Sequence, residues 1–452
     1  MARLTERLLW SLGLLSGKSS LRVEARVLAI QGQTIAIEGL SGLASVGDRI
    51  DLHAKGEAAI KAEIIGFNGR VSQATAYCNV SGLGPGSYAA TSFPVLPTGL
   101  AVDRLWLGRI IDPLGHALDR REPLPHGSRI LMRHQNAPPA AARARLGPRI
   151  DLGVTAINLF ATCRRGQRLG IFAGPGIGKS MLMGLLAKNT TCDVIIVALI
   201  GERGREVREF IEENMCDAVR QKSILIIATS DSSPIMRRES AISAMTIAEY
   251  FRDTGKHVLL IMDSITRYCQ ALREIALACG ELPIKGGYPA SVLADLPRLL
   301  ERAGPGYDDE GGVGYITGIF SVLVEGDDIN EPLADSIRGY LDGHIVLDRK
   351  IAERGRYPAV DVLRSLSRAI VGCNTSIESE NITRARSILS MHENMRDLIG
   401  LGAYRAGSDP QVDRAIELAP QIDRLLHQSG CDPMGIGKEF EELDKILSKY
   451  FS

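Results

Sequence analysis

The chain has 452 residues, 45% of them hydrophobic and 23% charged, a globular composition spread over more length than one ordinary core fills. Lys and Arg together number 53, as do Asp and Glu, so no net field draws the chain to nucleic acid or to an anionic membrane. No apolar run reaches the ~20 residues that span a bilayer.

The first element, over residues 1–20, is predicted as an amphipathic helix. Its apolar stretch Leu8–Leu15 follows Arg3 and Arg7 like a signal segment, but no small-residue cleavage site comes after it. From 21 to 97 the runs LRVEARVLAI, QTIAIEG and AAIKAEIIGF alternate apolar and polar residues between glycines, which predicts short strands closing into a β-barrel. Residues 98–150 are broken by prolines at 113, 123, 125, 138, 139 and 148 and carry Arg129, Arg133, Arg143, Arg145 and Arg149. They are expected to form a solvated connecting segment leading into a domain that extends to 370. The cysteines at 78, 163, 192, 216, 269, 279, 373 and 431 form no C-x-x-C pair, which predicts reduced thiols in a cytosolic protein.

Beyond 167 the pattern changes. QRLGIFA, DVIIVALIG, SILIIATS and HVLLIMDS are short continuous apolar runs, the mark of strands buried on both faces, and helical stretches separate them. That alternation predicts an α/β core with a mainly parallel sheet. From 371 to 452 only helical periodicity remains, so the chain is expected to hold a barrel, an α/β core and a helical C-terminal domain.

The chemistry is concentrated in the core. QRLGIFA runs into Gly174, Pro175, Gly176, Ile177, Gly178, Lys179 and Ser180, and an apolar helix follows. This is the strand–loop–helix setting of a phosphate-binding P-loop, with Ala173 where the strict pattern has its first glycine. Backbone N–H groups would cradle phosphates, Lys179 would reach the β- and γ-phosphates, and Ser180 would ligate Mg2+. VLLIMD ends in Asp263, an apolar strand closing on a carboxylate that would hold the Mg2+ shell. Glu202 ends another core strand, where parallel sheets bind ligands, and can polarise an attacking water; Arg203 beside it can approach the γ-phosphate.

GERGREV, LLIMDSITRY, Tyr357-Pro358-Ala359-Val360-Asp361 and Ser365-Leu366-Ser367-Arg368 resemble the family containing the catalytic subunits of rotary ATP synthases and the type III export ATPases, and the match follows the whole chain in order. The resemblance implies a RecA-like ATPase core with ATP and Mg2+ as cofactors. It also implies Glu202 as catalytic glutamate, Tyr357 stacking on adenine, and Arg368 as an arginine finger reaching into a neighbour's site. Because one chain carries both Glu202 and Arg368, it implies a ring of identical subunits, a homohexamer.

The stretches 286–304, 322–363 and 402–416 resemble the export branch, and the C-terminal part lacks the acidic stretch with which synthase subunits push a rotor. The expected function is ATP hydrolysis energising type III export of flagellar proteins, by unfolding substrates and releasing their chaperones. The expected partners are regulatory and stalk proteins of the export apparatus, at the cytoplasmic face of the inner membrane export gate, with no nucleic acid. The equivalent injectisome enzyme is the main alternative, ahead of a synthase catalytic subunit, a non-catalytic ring subunit or an RNA-dependent helicase. A helicase calls for a basic barrel with exposed aromatics, whereas residues 21–97 hold only Phe67, Tyr77, Tyr88 and Phe93.

Overall fold

The computed structural model describes residues 21–54, 58–84, 86–93, 99–307, 312–324, 326, 328–370, 372–428 and 433–448; the helix expected over 1–20 lies outside them. The chain divides into two compact units. The first contains the barrel strands, joined by Ser233–Ile235 and Glu274–Glu281; the second takes in Leu100–Ser232, Met236–Arg273 and the chain from Leu282 onward.

In the first unit β1 (Leu21–Gln31), β2 (Thr34–Glu38), β3 (Arg49–His53), β4 (Ile60–Asn68), β5 (Val71–Ala76) and β6 (Tyr88–Phe93) close a barrel in the order β1-β2-β5-β4-β3-β6. Successive side chains on a strand face opposite ways, so Ile35 and Ile37 on β2, and Ile50 and Leu52 on β3, enter a shared interior with Val27, Ile64 and Ala74. Closure leaves no sheet edge unpaired.

The second unit is built on a sheet that has nine strands among the described residues. Its main path is β14-β13-β8-β12-β11-β9-β10-β7. The strands are β7 (Ile110–Ile111), β8 (Arg168–Ala173), β9 (Val194–Glu202), β10 (Ser223–Thr229), β11 (His257–Asp263), β12 (Tyr315–Leu323), β13 (Gly343–Leu347) and β14 (Val360–Ser367). The pairings from β13 to β7 are parallel, while β14 runs antiparallel to β13 and Gly304–Pro305 runs antiparallel to β12. Helices α1 (Thr155–Phe160), α2 (Lys179–Asn189), α3 (Gly204–Asn214), α4 (Pro234–Asp253) and α5 (Ile265–Ala278) lie between strands in sequence, and α6 (Ser376–Gly400), α7 (Pro410–Leu426) and α8 (Ile436–Ser448) complete the unit.

The four core strands read from the sequence are β8, β9, β10 and β11, within a residue or two of their ends. β12, β13 and β14 escaped that reading. Thr317 and Ser321 interrupt the apolar run of β12, while β14 exposes Leu363, Arg364 and Leu366. The segment 98–150 is less solvated than its prolines suggest. β7 extends the sheet beside β10, and Arg133 is buried against Glu239. Arg109, also buried, pairs with Asp119 at 2.7 Å. Arg129 and Arg145 do remain exposed. The arginines that leave solvent do so because each meets a carboxylate, the condition under which a charge can be buried.

Helices α6, α7 and α8 continue the core of the sheet. Ile382, Leu418, Ile422 and Leu443 share one apolar cluster with Phe160 of α1 and Leu169 of β8. A polar layer accompanies them. Glu439 of α8 accepts from Thr155 Oγ1 and Asn158 Nδ2, each at 2.9 Å.

Candidate functional site

In parallel sheets the C-terminal strand ends gather loops and helix N-termini into one rim, and ligands bind there. β8 delivers Ala173 to that rim, and Gly174–Gly178 turn the chain into α2. Gly176 and Gly178 adopt φ of 74° and 90°, a left-handed conformation that disfavours a side chain. A Cβ on Gly178 would also meet the Tyr357 ring at 3.3 Å, close enough that the ring would have to give by a few tenths of an ångström. No side chain caps the start of α2, which leaves its first N–H groups and the positive end of its dipole free for an anion. A glycine cradle ending in an uncapped helix fits the phosphates of a nucleotide.

Three strand or helix ends bring charge to this cradle. Lys179 opens α2, Glu202 ends β9 and Asp263 ends β11. Lys179 Nζ donates to Asp263 Oδ1 and lies 3.5 Å from Glu202 Oε1. Asp263 Oδ1 also accepts from Ser321 Oγ at 2.6 Å. Burial pulls the Lys179 ammonium down, yet Asp263 and Glu202 carry it above the ordinary lysine value. Glu202 is pushed up to about 7, chiefly by burial and then by the charge of Asp263, with Lys179 opposing. Two carboxylates around one ammonium form a site whose excess negative charge calls for a further cation.

Ser180 stands exposed at the start of the helix, on the same cavity. Among the described residues no group of three or more His, Cys, Asp or Glu is arranged to hold a metal. One hydroxyl and one carboxylate beside a phosphate cradle suit Mg2+, which keeps waters and takes ligands from its substrate's phosphates.

Lys179, Ser180, Glu202 and Arg203 line a cavity of about 1020 Å3. Arg203 has its guanidinium in solvent, 3.7 Å from Glu206, so it stands at the rim of the lysine–carboxylate cluster. Tyr357, followed by a cis proline, lies on the P-loop side against Gly178.

Arg368 is elsewhere. β14 is antiparallel to β13, Ser367 pairs with Gly343, and Gly343 pairs with Leu169 near the start of β8. Arg368 N donates to Asp342 O at 2.8 Å, and its side chain is exposed. It therefore sits at the opposite end of the strands from its own cradle, about one six-residue strand or ~20 Å away.

The structure adds residues that pattern reading did not single out. Arg267 of α5 packs against Gly201, donates to Gln270 at 2.9 Å and lines the cavity with a buried Nε that has no partner among the described residues. Ser321 holds Asp263, and Arg349 donates to the Pro175 carbonyl at 3.0 Å. Arg267 lay within the DSITRY run; nothing local in sequence marks the other two, because their partners are more than 50 residues away.

Comparison with known proteins bears on the family and the fold. Residues 153–367 match the ATP synthase alpha/beta family, nucleotide-binding domain, and residues 377–445 match the T3SS EscN ATPase C-terminal domain. The flagellum-specific ATP synthase of Caulobacter vibrioides is 45% identical over 95% of this chain and 97% of its own. The SPI-2 type 3 secretion system ATPase of Salmonella typhimurium is 42% identical over 86% of this chain and 88% of its own. The assembled ATPase EscN from the type III secretion system of enteropathogenic E. coli superposes with a TM-score of 0.86 at 36% identity, covering 93% of this chain and 99% of that one. EscN in complex with its central stalk EscO gives 0.83. The barrel, the mostly parallel core and the C-terminal helices are thus a shared architecture, and the chain belongs to the ATP synthase alpha/beta family, among the flagellum-specific and type III secretion ATPases.

Proposed function

We propose that the protein hydrolyses ATP with Mg2+ in a ring of identical subunits and energises type III export of flagellar proteins. The observation that carries this reading is a divided site. Lys179, Glu202 and Asp263 converge at the C-terminal ends of the parallel strands, while Arg368 lies level with their N-terminal ends. An arginine so placed is available to the cradle of a second copy. Head-to-tail contacts of this kind close into rings when their rotation permits.

In this reading the Gly174–Gly178 backbone holds the phosphates and Lys179 is drawn from its carboxylates toward the β- and γ-oxygens. Ser180 and Asp263 would hold Mg2+, which neutralises charge on the phosphates when bound. Glu202, ionised, orients the attacking water; Arg203 at the rim approaches the γ-phosphate; the neighbour's Arg368 stabilises charge in the transition state; Tyr357 stacks on the base. Arg267 adds a further positive group to the cavity.

The flagellar assignment is supported by the relatives, among which flagellum-specific proteins reach 49% identity, against 42% for the secretion-system ATPase. A stalk partner is supported by the EscN–EscO complex. None of the described helices is long and apolar enough to cross a membrane. Association with the inner membrane export gate would then be peripheral.

Glu202→Gln tests the chemistry. It is expected to lower kcat by 10^2-fold or more, within the ~10^2–10^4 typical of a positioned carboxylate, while nucleotide still binds. Wild-type turnover in this variant would refute the role. Deleting the gene is expected to abolish flagella; loss of another secretion apparatus with flagella intact would favour the injectisome reading.

A further inference from the structure

Tyr357 is held in place by a segment distant in sequence. Just past the end of α7, His427 and Gln428 bond both sides of its backbone: Gln428 N donates to Tyr357 O at 2.8 Å, and Tyr357 N donates to His427 Nδ1 at 3.4 Å. The preceding Arg356 donates to Asp423 on the last turn of α7 at 3.0 Å. The Gln428 side chain then turns the other way. Its Oε1 accepts from Thr155 N at 2.9 Å and its Nε2 donates to Gly153 O at 3.2 Å. Thr155 opens α1 and also bonds the buried Glu439, and Asn158, one turn on, bonds both Glu439 and Asp151.

One residue thus spans three pieces of the molecule: just past the end of α7, its side chain grips the start of α1 while its backbone N–H holds the tyrosine turn. Gln is suited to this place because it presents an acceptor and a donor at once; a carboxylate would oppose the Gly153 carbonyl, and an apolar chain would take the partner from Thr155 N and leave Gly153 O to the Asn189 amide alone. The consequence is positional. The Tyr357 ring stands in contact with the phosphate loop at Gly178, so a small displacement of its turn alters where a base can stack relative to the cradle.

We infer that Gln428 is a positioning residue for the nucleotide base, acting through Tyr357 and tying the base site to the helices that follow the sheet. This rests on the proposed stacking role of Tyr357. The test uses the assembled full-length ATPase with MgATP as substrate and magnesium tripolyphosphate, which has phosphates and no base, as competitor. Gln428→Met is expected to raise KM for ATP about tenfold, the scale of one base–aromatic stack, with kcat changed less than about twofold and tripolyphosphate inhibition unchanged. Gln428→Glu, which keeps the acceptor for Thr155 N, should lie between Gln428→Met and wild type. In a Tyr357→Ala background Gln428→Met should add less than about twofold, since the ring through which it acts is gone.

The outcomes separate the two ideas. If Tyr357→Ala raises KM but neither Gln428 variant does, the positioning role is overturned while the stacking role stands. If the Gln428 effect persists in the Tyr357→Ala background, or weakens tripolyphosphate equally, the residue is structural and the inference fails. If Tyr357→Ala leaves KM unchanged, both are overturned.

Discussion

At Glu202 a half-buried carboxyl faces Asp263 across the lysine that both compete for, and burial together with the Asp263 charge pushes its pKa up to about 7. A water-orienting carboxylate works ionised. As pH falls through about 7 the residue takes up a proton, and kcat/KM, which reports the free enzyme, should fall about tenfold per unit below that midpoint. A flat profile from pH 8 to 6 would contradict this. The same shift acts on stability with opposite sense. Between the unfolded value of 4.5 and about 7, the folded protein holds a proton that the unfolded chain has lost. This group's stabilising contribution is therefore complete below about 4.5 and gone above about 7. Glu202→Gln should raise the melting temperature at pH 8 and leave it unchanged at pH 4, as calorimetry can check. Gly178 offers a sharper contrast. Alanine there meets both a positive φ and the Tyr357 ring, so nucleotide affinity should drop more than about tenfold, by titration calorimetry, while the remote core and its melting temperature stay near wild type.

At the scale of elements, legibility followed local pattern. β8, β9, β10 and β11 could be read because their apolar runs are continuous and end in loops rich in Gly, Asp or Glu. The cradle was legible because its glycines, Lys179 and Ser180 are contiguous. β12 and β14 were not read, since a strand with polar residues inside or leucines outside departs from both periodic templates. Arg133 was unreadable for another reason: its partner Glu239 lies 106 positions away, and only the fold brings them together. The C-terminal helices hold a similar lesson, because helical periodicity shows that an apolar face exists without showing which surface covers it. That surface is the core of the sheet. Leu443→Ala, at a fully buried position on α8, should cost about 2–5 kcal/mol and destabilise the ATPase core with it. A separate low-temperature transition that leaves nucleotide binding at Lys179 intact would show the helices to be an independent unit.

For the whole molecule the central point is the distance between what one chain offers and what one site needs. The antiparallel course of β14 sends Arg368 to the strand ends opposite its own cradle, and no rearrangement of side chains returns it across a strand length. On the proposed role of Arg368, a monomer has an incomplete site. Specific ATPase activity should fall on dilution as rings dissociate, with the loss tracking oligomer mass measured by light scattering. Activity independent of concentration in a protein that scatters as a monomer would contradict shared sites.

The most direct test combines two inactive chains. Lys179→Ala removes the cradle's lysine and keeps Arg368; Arg368→Ala does the reverse. In rings assembled at random from equal amounts, about a quarter of the interfaces pair an intact cradle with an intact finger, so activity should recover to as much as about a quarter of wild type. Rings demonstrated to be mixed, yet no more active than either parent, would contradict the shared site on which this account depends.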